Sequence, residues 1–308
     1  MPESRAGTCA IVGRPNVGKS TLMNRILGEK LAVVTPKPQT TRNRILGVKN
    51  RPGAQIVLLD TPGIHRAKSS LNQYMVDQAL AALAECDVVL HLVEAPRVTA
   101  AALAGKPFDP GEGNRFILDK LAQVRRPRIL AINKIDLLRD KTALLPLVDG
   151  YARALPFDDI VPISAATGDG VDRLEEAIAA RLPVGPPLFP EEMFTDRAER
   201  FLAAELVREQ TFALLAEELP YSVAVTIDSF VERATQKDVV IEAVVHVERD
   251  SQKKIVVGEG GRMIKEIGTR ARAEIGKLLG CPVHLKLHVK VDPDWTRNGR
   301  ALSRLGYE

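Results

Sequence analysis

The segment Gly13-Arg14-Pro15-Asn16-Val17-Gly18-Lys19-Ser20 constrains this chain more than any other. It follows a short apolar run, TCAIVG at 8–13, and precedes a helical pattern that continues through Leu27. Glycines at the two ends of the loop leave room for successive backbone N–H groups to surround an anion. A strand that delivers such a loop to the N-terminus of a helix is the opening unit of an α/β sheet with ligands at its strand ends. In this arrangement Gly13, Asn16, Val17, Gly18 and Thr21 line a phosphate cradle. Lys19 neutralises β and γ oxygens, and the Ser20 hydroxyl is a ligand for Mg²⁺.

The rest of the N-terminal half extends that unit. RILGVKN and AQIVLLD flank the turn Asn50-Arg51-Pro52-Gly53 and read as a hairpin. DVVLHLVEA, RPRILAIN and IVPISAA are further buried strands, each separated by enough chain for a crossover helix. The expected result is a doubly wound, mostly parallel sheet with one antiparallel edge strand. DRLEEAIAARL ends at Pro183, and PVGPPLFPEE then carries prolines too dense for a helix or a central strand. A domain at 1–183, a linker at 184–196 and a second domain at 197–308 follow. In the second domain the pattern predicts a helix at 197–218 and strands near 221–231 and 238–249. Helices then flank a second glycine cluster before the strand PVHLKLHVKV, giving an α-β-β-α-α-β order. Residues 100–114 read as a flexible surface insertion.

Three more segments sit where strands end. Asp60-Thr61-Pro62-Gly63 closes an apolar strand, so Asp60 can hold Mg²⁺ through water and the Gly63 N–H can meet a γ-phosphate. In Asn133-Lys134-Ile135-Asp136, the Asp136 carboxylate can accept from N1–H and the 2-amino group of guanine, donors that adenine does not present there. Ser164-Ala165-Ala166 can offer a backbone N–H to guanine O6. In this order the segments resemble the translation-factor-related branch of small GTPases, which implies a Ras-like P-loop fold that binds GTP and GDP and hydrolyses GTP. Lys19, Thr41, Asp60, Gly63 and Asn16 would form the catalytic set. By that resemblance Thr41, in KPQTTRNR at 37–44, supplies a second Mg²⁺ hydroxyl and senses the γ-phosphate, with adjacent Thr40 as the alternative. Ile64 stands where Ras-type enzymes carry a water-orienting glutamine, so intrinsic turnover should be slow. Asn16 matches relatives in which asparagine helps bind K⁺ beside the phosphates.

The second cluster is Gly258-Glu259-Gly260-Gly261. Alone, a GxxG is an ordinary helix–helix turn, but the charge around it is distinctive. Residues 253–290 hold nine Lys or Arg against three Glu, whereas 191–252 hold six against fourteen acidic residues. A tight turn with a helix N-terminus behind it, and with Arg262, Lys265 and Arg270 close by, suits a nucleic-acid backbone. In PVHLKLHVKV, Val283, Leu285, Leu287 and Val289 face a core, while His284, Lys286, His288 and Lys290 face either solvent or RNA. This half resembles a type II KH domain. Together with PPLFPEEMFTDRAERFLAAELVREQ, ELPYSVAV and GEGGRMIKEIGTRAR, the whole chain resembles the Era family of bacterial GTPases. That resemblance implies binding near the 3′ end of small-subunit (16S) ribosomal RNA, assistance in 30S subunit maturation and peripheral contact with the inner membrane. Two features depart from the family pattern: the anionic Glu259 in the glycine loop and the length of the 100–114 segment.

Composition adds bounds. A net charge of +4 is mild, so any RNA footprint must be local. Three widely spaced cysteines suit a reducing cytosol, and no apolar run is long enough for a bilayer span. A cytoplasmic monomer is expected. Two other functions remain open: a regulatory GTPase whose C-terminal domain binds protein or a membrane surface, and an ATP-dependent enzyme, which Asp136 disfavours.

Overall fold

In the computed structural model, residues 4–35, 37, 39–64, 69–95, 108–215 and 219–307 are described. Residues 100–107 of the expected insertion and the last residues of the expected 197–218 helix lie outside them. By packing, the chain forms two units. The first gathers Met1–Ala32, Thr41–Arg66 and Met75–Asp196; the second gathers Arg197 onward together with Val33–Thr40 and Ala67–Tyr74.

The first unit is built on β1 (Arg5–Gly13), β2 (Ile45–Arg51), β3 (Ala54–Asp60), β4 (Val88–Glu94), β5 (Arg128–Asn133) and β6 (Asp159–Pro162). They form one sheet in the order β2-β3-β1-β4-β5-β6, and every neighbour pair is parallel except β2 with β3. Its helices are α1 (Lys19–Leu27), the part of α2 (Ser70–Glu85) from Met75 onward, α3 (Glu112–Leu121), α4 (Leu145–Ala154) and α5 (Val171–Ala179). Alternation along β1 sends Ala10 and Val12 into a core shared with α2, α3 and α4, while Cys9 and Ile11 are equally buried on the opposite face. A sheet covered on both sides explains why its strands read as unbroken apolar runs. β6 stops at Pro162, earlier than the sequence pattern suggests, and residues 163–170 turn back as a loop.

The proline-rich segment is tied down. Gln55, itself buried, accepts from the Leu188 and Phe189 N–H groups at 2.7 and 2.9 Å and donates to Phe189 O at 2.8 Å. The Gly185 N–H donates to Ser4 O, and Val48 N–H to Phe194 O. Proline removes donors from such a segment but leaves its carbonyls and remaining amides free to pair along an edge.

The second unit contains α6 (Glu199–Leu214), β7 (Ala224–Arg233), β8 (Asp238–Val247), α7 (Asp250–Val257), α8 (Arg262–Leu279), β9 (Val283–Val291) and α9 (Gly299–Arg304). Its sheet runs β7-β8-β9, antiparallel then parallel, with a bulge between Ile227 and Ser229. The α-β-β-α-α-β order matches the sequence expectation, and the core joins α6, α7 and α8 to one sheet face.

Candidate functional site

At the end of β1, a Cβ on Gly13 would lie 2.4 Å from Leu92 O, so β4 passes too close for any other residue. Gly18, at φ +101°, is the N-cap of α1 and makes no side-chain cap, which leaves the first amides of the helix available to an anion. Asn16 also takes the left-handed conformation. Lys19 is only 6 % exposed, and its Nζ donates to Gly13 O at 3.3 Å and Arg14 O at 3.1 Å. Burial pulls its pKa down to about 8, with the Asp60 charge opposing the shift.

Three oxygen-bearing side chains that are far apart in sequence meet here. Ser20 Oγ donates to Asp60 Oδ2 at 2.7 Å and lies 2.8 Å from Thr41 Oγ1, which in turn sits 3.2 Å from the same carboxylate oxygen. Asp60 is fully buried and its other oxygen, Oδ1, has no partner. Burial raises its pKa against the opposing pull of Lys19, Ser20, Thr41 and Thr61. An unsatisfied buried carboxylate oxygen beside two hydroxyls is a hard donor set that fits Mg²⁺. Thr40 is turned elsewhere, donating to Lys37 O at 2.8 Å with Thr35 Oγ1 at 3.0 Å. The buried Thr61 hydroxyl donates to Ile11 O. After Pro62, a Cβ on Gly63 would come within 2.7 Å of the Pro15 nitrogen, so this turn and the loop after β1 touch backbone to backbone. The Ile64 N–H donates to Gly13 O at 3.1 Å, and its side chain is buried in the core.

At the other end of the loop, Asn133 is a buried clasp. Its Nδ2 donates to Val17 O at 2.7 Å and its Oδ1 accepts from the Ala165 N–H at 2.9 Å. Lys134, at φ +66°, donates to Asn16 O at 2.8 Å and to Glu94 Oε2 at 2.7 Å. Asp136 is exposed in the short turn Ile135–Leu137, with its carboxylate open to solvent. Ser164 is buried; its N–H donates to Asp169 O and its Oγ accepts from Thr167 N–H. Ala165 N–H is thus bonded within the protein, whereas the exposed Ala166 N–H has no acceptor among the described residues. Glu94, and an α1 contact to this loop from Arg25, escaped the sequence analysis, since neither falls in a recognisable spacing.

In the second unit, Gly258, Gly260 and Gly261 all have positive φ, at +72°, +60° and +79°. At Gly258 a Cβ would also strike the Met263 Cβ at 2.7 Å. Gly261 caps α8 without a side-chain bond; the Arg262 N–H turns back to Glu259 O, and the amides that follow it in the first turn have no cap. Glu259 points outward and pairs with Arg262 at 3.2 Å, and Arg270 pairs with Glu266 at 2.7 Å. Such exposed pairs contribute about 0–1 kcal/mol and exchange readily for phosphate. Lys265, one turn along the helix, makes no ion pair among the described residues. On β9 the alternation holds, but His284, Lys286 and Lys290 lie near Asp238, Glu242 and Asp292 at 3.0, 3.3 and 3.8 Å. Those carboxylates offset part of the positive charge on that face.

Residues 8–134 match the family model described as 50S ribosome-binding GTPase, and residues 218–296 match the KH domain. The GTPase Era of Geobacter metallireducens is 52 % identical over 303 residues, covering 98 % of each chain. The chain belongs to the Era family of GTPases. A crystal structure of Era bound to MgGDPNP and nucleotides 1506–1542 of 16S ribosomal RNA superposes with a TM-score of 0.92, at 42 % identity over 99 % of both chains. That of a single-residue variant of Aquifex aeolicus Era bound to GDP·AlF4⁻ gives 0.91 at 42 % identity, over 98 % of this chain and 99 % of the other. The chain is therefore a GTPase, with a Ras-like domain followed by a KH domain. Among the described residues no helix is long and apolar enough to cross a membrane.

Proposed function

We propose that this Era-family GTPase is a GTP-governed binder of small-subunit ribosomal RNA that assists 30S maturation. The observation that carries this reading is the relative aligned end to end with this chain, whose structure holds MgGDPNP and a 16S RNA fragment together. Gly13–Thr21 would wrap the phosphates, with Lys19 on the β and γ oxygens, whose charge would hold it in its ammonium form. Ser20 and Thr41 would hold Mg²⁺, with Asp60 behind them. Bound there, the ion would neutralise charge on the phosphate oxygens. The Gly63 amide would meet the γ-phosphate. Asn133, Lys134, Asp136 and the Ser164–Ala166 loop would hold guanine. With Ile64 buried, no side chain at that position orients the attacking water, and slow turnover follows. Asn16 would contribute to a K⁺ site; hydrolysis should run faster in K⁺ than in Na⁺ buffer, and equal rates would remove the ion from the mechanism.

Gly258–Gly261 would admit an RNA backbone onto the amides of α8, while Arg262, Lys265 and Arg270 reach its phosphates. The protein would act in the cytoplasm as a monomer, with peripheral contact at the inner membrane face. Binding of a single strand from the 3′ end of 16S RNA, with GTP analogue or GDP present, tests the RNA reading. Log affinity should fall against log salt by about 0.7 per phosphate neutralised. A flat salt response would favour the alternative, a domain that docks on protein or on a membrane surface.

A further inference from the structure

Given the assignment of Ser164–Ala166 to guanine, we propose that Arg25 is a specificity-positioning residue that aims the Ala166 amide at O6 of the base. The amides of this loop are almost all committed. Ser164 N–H donates to Asp169 O at 2.8 Å, Ala165 N–H to Asn133 Oδ1 at 2.9 Å, Thr167 N–H to Ser164 Oγ at 3.1 Å and Gly168 N–H to Ser164 O at 2.8 Å. Ala166 N–H has no acceptor among the described residues, and Ala166 is exposed. Its direction is set by its own peptide plane. In a trans peptide the C=O of one residue and the N–H of the next point opposite ways. Whatever holds the Ala165 carbonyl therefore also sets where the Ala166 N–H points.

Arg25 holds that carbonyl. Its Nε donates to Ala165 O at 3.2 Å, and its Nη2 donates to Ala166 O. One planar guanidinium thus grips two successive carbonyls, which fixes both peptide planes in a way a point-charge ammonium cannot. Drawing electron density toward a carbonyl also strengthens the N–H of the same amide as a donor. Arg25 stands on α1, six residues after Lys19, or about 9 Å along the axis at 1.5 Å per residue. The helix that opens on the phosphates thereby also orients the loop that reads the base. Asn133 makes the complementary tie from Val17 O to the Ala165 N–H.

Arg25 is exposed, and water competes for its bonds, so the effect is moderate rather than absolute. The test is equilibrium binding of GDP, ADP, 6-thio-GDP and IDP to the whole wild-type chain, Arg25→Ala and Arg25→Lys, with thermal unfolding measured alongside. Sulfur at position 6 is a poor acceptor, so it probes the Ala166 amide; IDP lacks the 2-amino group and probes Asp136. Arg25→Ala should bind GDP about tenfold more weakly and lose most of the preference for GDP over 6-thio-GDP, while keeping its preference for GDP over IDP. Arg25→Lys, able to reach one carbonyl at a time, should fall between. Unchanged GDP affinity in Arg25→Ala, or a parallel loss of both preferences, would overturn the role. A wild type indifferent to GDP over ADP would instead sink the guanine assignment itself.

Discussion

Replacing His91 by phenylalanine should make the first unit more resistant to acid. His91 lies mid-strand in β4, is fully buried, and neither ring nitrogen has a hydrogen-bond partner. It stacks on Phe157 at 6.4 Å and meets Tyr151 edge-on at 6.5 Å. Burial is the main cause that drives its pKa from 6.5 down to about 4. The folded value is the depressed one, so as pH falls the unfolded chain takes up the proton first. The neutral ring's contribution is complete above 6.5 and is lost as pH drops toward 4. At about 1.36 kcal/mol per pH unit, the gap amounts to about 3 kcal/mol. Phenylalanine keeps the aromatic packing and has no proton to gain. With a urea m-value of about 2–3 kcal/mol/M, the variant's midpoint should gain roughly 1 M on the wild type between pH 7 and pH 4. Far-ultraviolet circular dichroism would follow the transition; the single tryptophan, Trp295, lies in the second unit and serves as a control. Midpoints that differ by a constant amount across that range would refute the assignment of acid lability to His91.

Thr41→Ala should weaken Mg²⁺-dependent binding of a non-hydrolysable GTP analogue by about tenfold or more, corresponding to about 1.4 kcal/mol, and should leave GDP binding nearly intact. Thr40→Ala should stay within about twofold of wild type in the same titration, since its hydroxyl serves its own loop; the reverse ranking would reassign the ligand. Asp136→Asn should move nucleotide preference from guanine toward xanthine, measured by competition, because the amide can donate where the carboxylate only accepts. Gly258→Ala should lower the stability of the second unit by about 1–3 kcal/mol, read from Trp295 fluorescence, and abolish RNA retention. Gly260→Ala meets open space and bears only the backbone cost, so it should melt closer to wild type.

Much of the fold was legible because burial leaves a periodic imprint. The covered sheet produced apolar strands, and alternating faces on β9 emerged as expected. Contacts made by single polar side chains over long separations leave no such imprint. Gln55 clasping Leu188 and Phe189 ties the expected proline-rich linker to β3. His246 Nδ1 lies 2.6 Å from Asp292 Oδ2, with Thr226 Oγ1 2.8 Å from its other nitrogen, and no spacing announces it. Trp295 is likewise fully buried, donating to Ser222 O, beyond the last strand of the expected order. Each of these depends on where separate elements come to rest rather than on local periodicity.

Motif chemistry, by contrast, is local: glycines where a backbone must approach a ligand, a lysine and hydroxyl at a helix start, a carboxylate with the acceptor geometry for guanine. Those residue types at those intervals were enough to specify a guanine-nucleotide chemistry and a second glycine turn suited to a polyanion. Folding was needed to bring Ser20, Thr41 and Asp60 within 3.2 Å of one another, to turn the Thr40 hydroxyl to Lys37 O instead, and to leave Ala166 rather than Ala165 with a free amide. The division has a physical cause. Residue identity sets which bonds a group is able to make, whereas direction and competition among partners are properties of three-dimensional packing.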